Sequence, residues 1–143
     1  MSLQYLTYQE IDKEKWDACI LESHNGRIYS SAVYLDHLAD HWDALILDDY
    51  AAVMPLTWRK KWGIFYIYPP AFTQQLGISS LQIENPQMTS EFMDAVPKKF
   101  RYVEMNLNAS NPVVPGNSFE RKNFLLALSP AYNQLKKAYS RSA

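Results

Sequence analysis

The sequence predicts a single α/β (α+β) domain: one mixed sheet with a central antiparallel meander over residues 42–70 and helices on both faces. Two observations carry that reading. Between Trp42 and Pro70, three short apolar runs follow one another with turn signals between them. Each run is apolar on both faces, so the sheet needs helices over both sides, which argues against a sandwich. The 143 residues, 48% apolar and 14% aromatic, suffice for one core and exclude disorder.

The elements follow in order. Leu3, Tyr5 and Thr7 alternate with Gln4, Leu6 and Tyr8, which predicts a first strand over 4–8. Asp12 is placed to cap a helix, Ile11 to staple onto Trp16, and Trp16, Cys19 and Ile20 share one helical face. Asn25-Gly26 ends that helix. Ser30 or Ser31 caps a second, with Tyr34, Leu35, Leu38 and Trp42 as its apolar stripe.

The meander begins with Ala44 to Leu47, and Asp48-Asp49 closes a hairpin. In the next run Tyr50, Ala52, Met54 and Leu56 share one face. Pro55 cannot donate to a ladder and is expected at a bulge or exposed edge. Trp58 to Gly63 reads as a charged connection, and Ile64 to Tyr68 as the third strand, stopped by Pro69-Pro70.

Residues 71–89 read mostly as loop, and Ser90 to Val96 as a short helix before Pro97. Val103, Met105 and Leu107 alternate with Tyr102, Glu104 and Asn106 in a further strand. Phe119 to Leu128 reads as a last strand, and Ser129-Pro130 as the start of a closing helix. The order is β-α-α-β-β-β-α-β-β-α.

The totals exclude several classes. A net charge of −1 supplies no field for nucleic acid or an anionic membrane. One cysteine excludes an internal disulfide framework and suits a reducing cytoplasm, where the protein is expected. No apolar stretch approaches the roughly 20 residues of a membrane span.

This element order resembles that of the GNAT (acyl-CoA N-acyltransferase) fold. The stretches Trp16 to Leu38, Pro69-Pro70-Ala71-Phe72-Thr73-Gln74-Gln75-Leu76-Gly77 and Phe124 to Ser129 are similar to the first domain of FemAB-type aminoacyl and acyl transferases. The resemblance implies that residues 1–143 form one GNAT-like domain equivalent to the N-terminal half of a two-domain FemAB-type protein. Its implied activity is transfer of an acyl or aminoacyl group to an amine, such as a cell-wall precursor. The implied donor is acetyl-CoA, another acyl-CoA or an aminoacyl-tRNA. A homodimer or a second GNAT-like domain would restore the missing surface.

The resemblance also assigns candidate residues. GNAT enzymes hold the coenzyme A pyrophosphate on a Gln/Arg-x-x-Gly-x-Gly/Ala loop, whose backbone N–H groups face the anion. Gln74, Gln75, Gly77 and Ser79 fall in that place, with Ser79 departing from the pattern. Arg59 and Lys60 would hold an acidic acceptor, Tyr68 would border the cleft, and Glu104 would take the proton from the attacking amine once burial raised its pKa. Each has a plainer reading: a hydrogen-bonded turn for the glutamines, a solvated hairpin for Arg59-Lys60-Lys61 between Trp58 and Trp62, a half-exposed strand residue for Glu104.

Asp36-His37 and Asp40-His41 repeat at helical spacing but lack a third partner, so no metal site is expected. Cys19 reads as a buried, inert thiol. Two functions stay open, a transferase domain and a non-catalytic binding or interaction domain of the same fold.

Overall fold

A computed structural model describes residues 2–112, 116 and 118–139. Six strands form one mixed sheet: β1 (Leu3–Leu6), β2 (His41–Leu47), β3 (Ala52–Lys61), β4 (Ile64–Ile67), β5 (Ser79–Ser80) and β6 (Phe100–Val103). The order across the sheet is β1-β2-β3-β4-β6, and β5 pairs with the start of β3. Every pairing is antiparallel except β4 with β6, which the crossover through α3 (Pro86–Asp94) makes parallel. The remaining helices are α1 (Lys13–Glu22), α2 (Ala32–Leu38) and α4 (Tyr132–Lys137). The structure is thus α+β with a mostly antiparallel sheet, and no helix among the described residues is long and apolar enough to cross a membrane.

Strand alternation builds two cores. Trp42, Ala44, Ile46 and Val53 face Trp16, Cys19 and Ile20 of α1 and Ala32 and Leu35 of α2. Leu45, Leu47, Ala52, Met54 and Leu56 point the other way, onto Met88 and Phe92 of α3. Asp12 caps α1 by accepting from the Glu14 and Lys15 N–H groups, as its position predicts. Trp16 is fully buried, and its indole donates to the Ser30 carbonyl at 2.7 Å.

Several expectations are corrected. Trp42 belongs to β2, because α2 ends at Leu38. Pro55 lies at neither a bulge nor an exposed edge. It is buried in the central strand, in the interval between β5, which pairs with Ala52–Val53, and β4, which pairs with Trp58–Lys61. In that interval a missing N–H costs no ladder bond.

Trp58 to Lys61 is not a connection but the end of β3. The turn is only Trp62-Gly63, both at positive φ (50° and 80°), the geometry of a two-residue type I′ hairpin. The third helix starts at Pro86 rather than Ser90, because Asn85 accepts from the Met88 N–H and Pro86 fills the first turn. Phe119 to Leu128 forms no strand. Its residues lie exposed, and α4 begins at Tyr132 after an Ala131 cap, not at Ser129.

Candidate functional site

The candidate loop Gln74 to Ser79 follows the point where the chain leaves the sheet after β4. It rejoins at Leu76, whose N–H donates to the Asn106 carbonyl at 2.7 Å beside a parallel bridge to Leu107. A set of buried carboxamides then closes around Ile78. Its N–H donates to Asn111 Oδ1 at 2.9 Å. Its carbonyl accepts from Asn25, Asn108 and Asn111 at 2.8, 2.9 and 2.9 Å. Asn25, only 1% exposed, also donates to the buried Glu84 carboxylate and accepts from the Ser80 N–H at 3.3 Å. His24 reaches the other Glu84 oxygen at 3.2 Å.

The four loop candidates therefore have separate fates. Gln74 is exposed. Gln75 is half-buried, and its buried Oε1 has no hydrogen-bond partner among the described residues. Gly77 is buried at φ +90°, where an added Cβ would lie 2.2 Å from Asn111 Oδ1. Ser79 is buried in β5, paired with Val53. The Leu76 and Ile78 N–H groups, the kind that would face a pyrophosphate, are both committed to protein acceptors.

Two surface cavities lie among the described residues, and neither is lined by this loop. The larger, about 210 Å³, lies at the start of β2 and is lined by Tyr8, Asp36, Ala39, Asp40, His41, Trp42, Asp43 and Trp58. Its walls are rings. Trp42 meets Tyr8 edge-on at 5.6 Å between centroids, and His41 stacks on Trp58 at 4.3 Å. The Trp58 indole N–H is buried and has no hydrogen-bond partner among the described residues. The second cavity, about 190 Å³, lies over Cys19 between Lys15, Tyr50 and Leu81. Cys19 itself is buried, and burial raises its thiol pKa above the ordinary value, as an inert thiol requires.

Three carboxylates converge on the larger cavity, and each holds a cation of the chain. Lys13 Nζ lies 2.7 Å from Asp36 and 4.4 Å over the Tyr8 ring. Lys99 Nζ lies 3.5 Å from the buried Asp43 and within 6 Å of the Tyr5, Trp58, Phe65 and Phe100 ring centres. Asp43 also accepts from the Tyr5 hydroxyl, which burial and that carboxylate together push to a higher pKa. Burial works against the Asp36 carboxylate, but hydrogen bonds from Lys13, Trp42 and Tyr8 outweigh it and hold its pKa below the usual range.

Arg59 binds Asp40 through both Nε and Nη2 and lies 4.2 Å over the Tyr68 ring, while the Tyr68 hydroxyl accepts from the Asp40 N–H at 3.2 Å. The structure thus brings Arg59, expected with Lys60 to hold an acidic acceptor, against Tyr68, expected to border the cleft, and their common partner is Asp40. Lys60 stands apart over Phe65 at 4.9 Å. Glu104 is exposed and accepts from the Tyr102 hydroxyl at 3.1 Å, without the burial expected of a base. His37 lies on α2 and His41 on β2, so the imidazoles share no helix face. Among the described residues no group of three or more His, Cys, Asp or Glu is arranged to hold a metal.

Sequence reasoning missed Asn25, which reads as a turn residue, Glu84, Asn108 and Asn111, which read as loop, and Tyr8, Asp43 and Lys99. One signal was present: Asp43 interrupts an otherwise apolar run from Trp42 to Leu47. In three comparisons with known proteins, the chain matches no family model, no curated protein and no solved structure.

Proposed function

We propose that the chain is a GNAT-like, FemAB-type domain related to acyl or aminoacyl transfer, that it binds the amine and that it does not itself load the acyl donor. The observation that supports this is the cavity at the start of β2, where Asp36, Asp40 and Asp43 meet the rings of Tyr8, Trp42 and Trp58. Carboxylates beside ring faces suit an alkylammonium. The chain's own Lys13, Arg59 and Lys99 already occupy the cavity's margin, with side chains 37%, 45% and 41% exposed. The Lys13–Asp36 pair is open to solvent at both ends and weak, so an incoming ammonium displaces Lys13 at little cost, whereas Asp43 is buried and Arg59 grips Asp40 through two nitrogens.

Thermal unfolding tests the proposal. n-Butylammonium at ten times its Kd stabilises by about 1.4 kcal/mol, a rise in Tm of about 3–5 °C for a domain of this size. Acetyl-CoA at millimolar concentration gives no rise, because the Leu76 and Ile78 N–H groups are taken. A rise with acetyl-CoA and none with n-butylammonium would overturn the proposal.

A second reading, transfer by this chain alone, is favoured by one observation. The parallel partners β4 and β6 stay joined to Ile67 and Glu104, then separate over 68–75 before Leu76 returns to Asn106. Tyr68, Gln74 and Gln75 lie in that interval, where an acyl group would lodge between parting strands. Labelled acyl transfer to an alkylamine from acyl-CoA or aminoacyl-tRNA distinguishes this reading from binding alone.

A further inference from the structure

Residues 119–139 stand out from the body of the domain. Phe119, Phe124, Leu125, Leu126, Leu128, Tyr132 and Tyr139 are 56–89% exposed. Among the described residues, the hydrogen bonds of this arm lie within the arm itself, such as Phe124 N–H to Asn123 Oδ1 at 3.0 Å. A second feature is also unfilled. β6 bonds to β4 along one side, no described strand lies along its other side, and Tyr102 and Val103 are 58% and 37% exposed.

An open edge strand and an extended apolar segment are complementary, since the edge offers unpaired N–H and C=O groups. We infer that Asn123–Leu128 of one chain adds as a strand to the β6 edge of a second copy, in reciprocal exchange. The occupant is a second copy because the chain's own arm leaves its own β6 edge uncovered. Reach permits it: the stretch of chain from Pro112 to Phe124 is long enough to extend up to roughly 40 Å. Both arm and edge belong to one chain, so a two-fold axis satisfies two of each and closes the assembly.

The area is also sufficient. An aromatic side chain buries roughly 150–250 Å². At their exposures, Phe119, Phe124, Tyr132 and Tyr139 alone hold back several hundred Å² per chain, at or above the largest patch of about 300–600 Å² on a typical monomer. With Phe119, Tyr132 and Tyr139 packing beside the added strand, two arms and two receiving edges approach the roughly 1,600 Å² of a stable interface.

Sedimentation of the full chain tests this, together with Leu126→Asp. The wild type runs as a dimer, and Leu126→Asp raises the dimer Kd by roughly thirtyfold or more while the monomer keeps its unfolding profile, since Leu126 is exposed there. A mixture of Tyr102→Cys and Leu126→Cys chains, oxidised, gives a covalent dimer, and Cys19 is too buried to compete. A wild type that stays monomeric at millimolar concentration overturns the inference. So does a dimer indifferent to Leu126→Asp, and so does an oxidised Tyr102→Cys/Leu126→Cys double variant that closes only within one chain.

Discussion

Replacing Asn25 by alanine removes four hydrogen bonds at once, and their consequences differ; the long one to Asn108 Oδ1 matters least, because that oxygen keeps the Ser110 N–H. The Ile78 carbonyl keeps Asn108 and Asn111, so its loss is small. The Ser80 N–H loses the Asn25 acceptor in a residue with no exposure, which costs about 1–3 kcal/mol. Glu84, its side chain 1% exposed, loses an amide donor and keeps His24, for about another 1–3 kcal/mol. The sum is roughly 2–6 kcal/mol, a fall in Tm of roughly 6–18 °C for a domain of this length.

Urea unfolding and differential scanning calorimetry measure it. Asn25→Asp serves as the control of shape: it still accepts from Ser80 but sets a carboxylate against Glu84 and the Ile78 carbonyl, so it falls at least as far. If both variants stay within about 0.5 kcal/mol of the wild type, the carboxamide network does not hold the Gln74–Ser79 bend shut, and the reasoning from it fails.

Other outcomes follow from the same structure. Gly77→Ala puts a Cβ 2.2 Å from Asn111 Oδ1 at a backbone φ of +90° and loses about 1–3 kcal/mol in denaturant unfolding, whereas Gly63→Ala, with nothing within 4 Å, loses only the cost of its positive φ. Asp36→Asn destabilises at pH 7 by about 0.5–1 kcal/mol after solvent screening. Because the folded Asp36 pKa is depressed, this stabilisation is present above the unfolded carboxyl value and is lost as pH falls through the folded one. Unfolding curves of the two proteins therefore converge below roughly pH 4, and a gap unchanged at pH 3 would remove the Lys13–Asp36 pair as its cause.

The fold was legible where one residue's environment repeats along the chain. Alternation through Ala52–Leu56 separates the two cores as the sequence predicts, because side-chain direction in a strand has period two, whereas Trp42, read with the second helix, reaches the first core from β2. It was not legible where polarity and position disagree. Trp58–Lys61 looks like a loop since its charges face solvent, yet the ladder to β4 runs through it. Asn85-Pro86 has the composition of a turn and the geometry of a cap. Phe119–Leu128 has the composition of a strand, and composition does not supply a neighbour. The candidate site was the least legible part. Its walls come from Tyr8, from 36–43 and from Trp58, with Lys99 at the margin; the β2–β3 register sets His41 opposite Trp58, and Tyr8 and Lys99 join through Asp43, contacts between residues far apart in sequence.

The most direct test of an ammonium seat at the start of β2 is the set of four indole N–H signals in a nitrogen–proton correlation spectrum during an n-butylammonium titration. Trp42 and Trp58 line the cavity, Trp16 is buried behind it and Trp62 is exposed at the hairpin tip. The account predicts saturable shifts of the Trp42 and Trp58 signals, absent with n-butanol, while Trp62 stays still. Shifts confined to Trp62, or none at all, would contradict it.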